Sequence, residues 1–490
     1  MIRIKLKAIL SQTLILLLVI LACQKQEADK IPITTSSDEA RTAFQKGRDL
    51  SERLKREEAI KYFEKAITLD PNFAMAHLSL AFMLTNTKET FAEIDTAASL
   101  VDKVSEGEKL YILATQASVN GMTSKEREYF QKLVENYPDD ERAQFRMGMY
   151  YFQQQDYNIA LGFFRRATEI NPDFSLAYNI LGYTHRYLEN YTEAEEAFKK
   201  YIDLVPKDPN PYDSYAELLL KMGRFDNSIE NYNKALKLDP HFTPSIIGIA
   251  TNLNLLNKHA DARTLLNELL ANAQNNEDHR QALYAISVSY VDEGNIPSGI
   301  KTLKSLLNSD RKNEDAFSMA RDIGTIGDCF YELMKYDSAM YYYNQVPKII
   351  LDSNLPDEIK ELGRNYQKYQ IAKIALTRGD LTTAKKNAQE YEARATELGN
   401  QPQIWAYHRL NGMIAMKEKE YDQALAEYNR ANQQNPYIIY QIAMAYRDKG
   451  DMLLAKKYLT RAAHFNIVNS MEYAFIRKKA ENMLQKYFNG

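Results

Sequence analysis

Four prolines, Pro138, Pro172, Pro206 and Pro240, follow one another at intervals of 34 residues in a chain of 490. A fixed period of this size means that one supersecondary unit is copied, each copy burying part of its apolar surface against the next. Other positions keep the same beat. In residues 141–174, Met147, Gly148 and Tyr151 fall in a first helical stretch and Ala160, Phe164 and Ala167 in a second, with Pro172 closing the unit. The next unit repeats this with Tyr178, Leu181, Gly182, Ala194, Phe198 and Pro206, and the following one with Tyr212, Ala216, Leu219, Tyr232, Ala235 and Pro240. Copies stand near both ends of the chain, with Gly47, Ala59, Phe63, Ala66 and Pro71, and with Gly412, Ala424, Tyr428, Ala431 and Pro436. Glycine inside a helix costs about 1 kcal/mol against alanine. Its return at one place in the unit therefore points to close helix approach in a lattice, not to a unique site.

This pattern resembles the tetratricopeptide repeat over most of residues 40–467. The resemblance implies an all-α solenoid of roughly 11–12 helical hairpins in a right-handed superhelix. Weaker copies fill the gaps, among them Ala262 with Leu266, Gly294 with Leu303, Gly327 with Ala339 and Tyr343, Gly379 with Ala384, and Ala443 with Gly450 and Ala455. The organisation read from these is an N-terminal array over 40–275, a more divergent array over 276–469, and a capping helix over 470–490. In that last helix Tyr473, Ile476 and Ala480 share one face, and Arg477, Lys478 and Lys479 spread over the solvated ones. The stretch 352–363 interrupts the beat and reads as a bend or an insertion.

Residues 1–22 carry Arg3, Lys5 and Lys7 ahead of a short apolar run, the parts of an export signal. The segment Ile20 to Cys23 resembles the lipobox of bacterial lipoproteins, which implies cleavage before Cys23 and acylation of that cysteine. Lipidation at Cys23 places the chain in the cell envelope, at the outer membrane, with residues 23–39 as a flexible tether. No later run approaches the ~18 apolar residues of a membrane span, so the lipid is the only membrane contact expected. Losing the three signal cations takes the net charge from −3 to −6, which disfavours nucleic acid as a partner. Cys329 then has no disulfide partner in the chain.

The residues offer little chemistry. The seven histidines show no pair at helical metal-binding spacing, so no metal and no cofactor is expected. His185 occupies a large-residue packing slot, and Cys329 beside Gly327 reads as a buried structural thiol. No phosphate-cradling loop or nucleophile elbow is present, and an enzyme is not expected.

Repeat arrays bind along the wall made by their first helices, at positions the packing slots leave free. Those positions put Arg142, Arg146, Asn179, Tyr183 and Arg186 in a polar groove suited to a carboxylate or an extended peptide. The places where chaperone-binding tetratricopeptide modules carry clamp lysines and asparagines hold Phe145, Met149, Asn179, Tyr183, Asp213 and Glu217, so that clamp is not expected. The expectation is a membrane-tethered, non-catalytic scaffold for a protein or peptide partner, in secretion or surface-complex assembly. The alternative is an outer-membrane nutrient- or glycan-binding lipoprotein resembling the starch-binding helical family, with a platform near Tyr341 and Trp405.

Overall fold

A computed structural model of the chain describes residues 30–312 and 315–488. The signal segment 1–22 and Cys23 lie outside them. Among the described residues the helices pair along the chain into twelve hairpins, from Asp38–Glu52 with Arg56–Leu69 to Pro436–Lys449 with Met452–Ala463, followed by a last helix Met471–Phe488.

The recurring residues explain the hairpins. Every first helix but Ala74–Ala81 is followed by one residue in the left-handed region, Leu54, Gln155, Glu189, Gly223 and Met334 among them. The N–H of the next residue then reaches back five positions, as from Lys55 to Leu50 at 2.8 Å, Asn190 to His185 at 2.9 Å and Lys335 to Phe330 at 2.9 Å. This closure satisfies helix-end carbonyls and turns the chain back on itself. The second helices end where proline demands extended backbone before it. Asp70, Asn171 and Asp239 are extended, and Pro71, Pro172 and Pro240 follow them.

The small slot and the large ring meet inside each hairpin. A methyl placed on Gly47, Gly148, Gly182, Gly327 or Gly412 would lie 2.4–2.8 Å from the ring sixteen residues later, Phe63, Phe164, Phe198, Tyr343 or Tyr428. Where the slot holds Ala216 instead, the ring of Tyr232 leans onto the next hairpin, against Gly248.

Two compact units result, one of residues up to Met83 with Glu93–Gln116 and Lys125–Leu181, the other of Leu84–Ala92, Ala117–Ser124 and Gly182–Gly490. What changes at 276 is helix length, with Asn276–Glu293 and Ile296–Lys312 at 18 and 17 residues, while one core continues across, joining Ile247, Ala262 and Leu266 to Ala282 and Ile286. The irregular stretch has a similar cause. A second helix breaks at Asn344 into Tyr336–Tyr343 and Gln345–Leu351, and residues 357–363 are the first turns of the 22-residue helix Asp357–Arg378.

Two expectations are corrected. From Lys30 onward the supposed tether is bound to the first unit, Ser36 N–H donating to Asp70 at 2.8 Å and Thr34 N–H to Glu108 at 2.8 Å. The last helix is no solvated cap either. Tyr473, Ile476 and Ala480 are buried as expected, but so is Arg477. Its guanidinium donates to Asp292 from Nε at 2.9 Å and from Nη2 at 2.5 Å, and to the carbonyls of Asn254 and Leu255 at 3.2 and 3.3 Å. Those carbonyls end the helix Thr243–Leu255, so the cation sits at the negative end of a helix dipole.

Candidate functional site

The five groove residues divide between the units, Arg142, Arg146 and Asn179 in the first, Tyr183 and Arg186 in the second. In the first unit Arg142 grips both carboxylate oxygens of Glu52, at 2.7 and 3.1 Å, pairs with Glu141 and lies over the Phe174 ring. Burial works against its charge, but Glu52, Glu141 and Asp140 together outweigh that and raise its pKa. Arg146 lies over the rings of Phe82 and Tyr111 at 4.9 and 5.0 Å. Asn179 is buried. In the second unit Arg186 is buried between the rings of Tyr183 and Tyr187 and bonds Glu217 at 2.9 Å. Beside it Asp213 accepts from Ser245 at 2.7 Å, and burial with the neighbouring Glu217 charge pushes its carboxyl up to about 8. Arg142 and Arg186 were expected to face a ligand carboxylate. The structure gives both of them protein carboxylates, because a partly desolvated guanidinium between stacked helices requires a counter-charge.

A pocket of about 290 Å³ lies elsewhere in the second unit, lined by Glu277, Arg280, Gln281, Tyr284, Arg321, Thr325 and Asn469. Asn276–Glu293 and Ala316–Glu332, the first helices of consecutive hairpins, form its walls, and Asn469, from the loop before the last helix, joins them. Arg280 bonds Asp322 at 2.8 Å and stands 3.5 Å from Asp310, both carboxylates deeply buried. Burial and the adjoining Asp310 carboxyl push Asp322 up to about 8 against the pull of Arg280. Glu277 accepts from the Gln281 amide at 2.8 Å. The Arg321 side chain remains 58% exposed, 3.8 Å from Asp322. The pocket thus presents one solvent-facing guanidinium, an aromatic ring and amide groups, a set suited to polar, hydrogen-bonding ligands.

The sequence reading missed this pocket because it falls where lengthened helices blur the 34-residue register. The available signal was Asp310 and Asp322 in otherwise apolar helical faces, since buried acids need a cation nearby.

Other polar clusters serve packing. Lys373 is buried among Tyr331, Tyr343 and Tyr369 and bonds Asp328 and Tyr343, each at 3.0 Å. His77, His259 and His408 each face one carboxylate, of Glu93, Asp292 and Glu427. His185 is buried, and Cys329 is fully buried with its thiol pushed up by desolvation. Tyr343 fills its core slot, Tyr342 stacks on Phe330, Tyr341 is 64% exposed and Trp405 is half-buried. Among the described residues no group of three His, Cys, Asp or Glu is placed to hold a metal, and no helix is long and apolar enough to cross a membrane.

Comparison with known proteins gives consistent matches. Family models described as "Tetratricopeptide repeat" match residues 55–73, 110–140, 127–173, 145–209, 219–286, 369–437 and 436–463, more than half of the chain together. Similar curated proteins include the anaphase-promoting complex subunit CDC16 of Saccharomyces cerevisiae, 24% identical over 268 residues, covering 52% of this chain and 32% of that protein. The cell division cycle protein 16 homolog of Homo sapiens is 26% identical over 208 residues, covering 40% of this chain and 33% of its own length. The chain thus spans about a third of these relatives. Among solved structures, MamA of Desulfovibrio magneticus aligns with a TM-score of 0.31 at 16% identity, over 35% of this chain and 98% of that one.

Proposed function

This chain belongs to the tetratricopeptide repeat family, and from that premise we propose that it is a non-catalytic scaffold that docks a protein partner at the bacterial cell envelope. The pocket between Asn276–Glu293 and Ala316–Glu332 carries this reading. It lies between first helices of neighbouring hairpins, where a repeat array has side chains to spare from packing. Arg321 and Thr325 offer there polar groups that an extended segment of a partner can bond. The Saccharomyces cerevisiae relative is a subunit of the anaphase-promoting complex, which supports an assembly role for the shared repeats.

The envelope part of the proposal rests on the basic, apolar and Cys23-ended leader. It assigns Cys23 as the acylated residue and a secretion or surface-assembly complex as the setting. Two experiments test it. A photo-crosslinking amino acid at Thr325 should trap one discrete partner in envelopes, and the same probe at Lys301, exposed on the second helix Ile296–Lys312, should not. Equal trapping at both positions, or none, counts against the docking site. Separately, Cys23→Ala should leave the protein out of the membrane fraction and unlabelled by fatty acid.

A further inference from the structure

We propose that residues 30–36 are a mounting strap that sets one edge of the first unit against the lipid surface. The proposal rests on the assignment of Cys23 as the lipid-bearing residue. Three buried carboxylates, Asp70, Glu108 and Asp140, stand at the three successive junctions between the first four hairpins. The extended segment satisfies all three in turn. Ile31 N–H donates to Asp140 at 3.0 Å, Thr34 N–H to Glu108 at 2.8 Å and Ser36 N–H to Asp70 at 2.8 Å, with the Thr35 hydroxyl on Asp70 at 2.6 Å. Lys30 donates to the Asp139 carbonyl at 2.8 Å and pairs with Glu141. Ile31 packs against the buried cluster that includes Leu110, Ala114 and Phe130, and a methyl on Gly107 would lie 3.0 Å from its Cγ2. Removing the strap would leave buried acceptors unpaired, each at a cost of a lost charge-assisted hydrogen bond. It is therefore part of the folded unit.

The consequence is geometric. Six residues separate Cys23 from Lys30, so the strapped edge stays within about 25 Å of the acylated cysteine even at full extension. That edge carries the loops around Asn72, Asp102 and Asp139. The helical turns at the other end of the hairpins stand about 20 Å farther away, the length of a 13-residue helix such as Glu141–Gln153. The leash thus favours an orientation in which the loops lie nearer the lipid surface than the turns.

The test uses the acylated full-length protein on phosphatidylethanolamine–phosphatidylglycerol vesicles that carry a headgroup energy acceptor. A donor dye is attached at Asp139→Cys or at Gln153→Cys, both exposed, while the buried Cys329 does not compete. Transfer from position 139 should exceed that from 153 by about twofold or more, given the ~20 Å offset. An inserted Gly/Ser linker of about 20 residues between Asp29 and Lys30 should abolish the difference while the protein still floats with vesicles. Equal transfer in a protein that floats overturns the mount and leaves the anchor standing. Failure to float overturns the anchor and the mount with it.

Discussion

A methyl on Gly148 would sit 2.7 Å from the Phe164 ring, whereas one on the exposed Gly162, in the second helix of the same hairpin, would meet nothing within 4 Å. The two glycines should respond oppositely to alanine. Gly162→Ala should stabilise by about 0.5–1 kcal/mol through helix propensity. Gly148→Ala should lose about 1–2 kcal/mol net, because a fully buried Phe164 leaves the ring no room to yield and overpacking outweighs propensity. Urea midpoints of the two variants check this, and a gain at both positions would refute the slot-and-ring account. Asp213 supplies the pH test. Its folded pKa of about 8 lies far above the ~4 of an unfolded aspartate. The folded state then holds its proton more tightly, so this residue's contribution to stability falls as pH rises from about 4 to about 8. Asp213→Asn should therefore match the parent near pH 4 and exceed it at pH 8, read from denaturation midpoints across that range.

At the scale of the element, the hairpin turn is one design with interchangeable residues. Gly223, Gly294, Gly379 and Gly450 take its left-handed position without strain, while Leu54, Gln155, Glu189, Asn257, Met334 and Lys419 take it with a side chain. Met334 is 76% exposed and so gains little from burial. Met334→Gly should raise stability by a few tenths to about 1 kcal/mol in thermal unfolding. The last helix behaves oppositely, its key cation being internal. Arg477→Met removes the charged partner of a buried Asp292, leaving His259 beside it, and should cost about 3–5 kcal/mol, while Lys478→Ala at the rim should cost under about 1 kcal/mol. Hairpins were legible in the sequence because glycine, ring and proline recur at fixed offsets that local packing dictates. The burial of Arg477 was not, because its partner Asp292 lies 185 residues earlier. A helical wheel assigns faces only relative to neighbours it cannot name.

Over the whole molecule the same contrast separates fold from site. Periodicity identified the family and the packing residues, but it could not tell a free first-helix arginine from one with a distant carboxylate, which is why Arg142 and Arg186 resembled ligand-binding groups. Thr34 and Ser36 resembled tether for the same reason, their partners Glu108 and Asp70 being visible only once the hairpins are stacked. The central claim is that the wall around Arg321 docks a partner chain. The direct measurement is the dissociation constant of the partner trapped at Thr325, purified and titrated against Arg321→Glu and Lys301→Glu, two exposed charge reversals on a first and a second helix. The account predicts at least tenfold weaker binding, about 1.4 kcal/mol, for Arg321→Glu and an unchanged constant for Lys301→Glu. Equal constants for the two variants would contradict it.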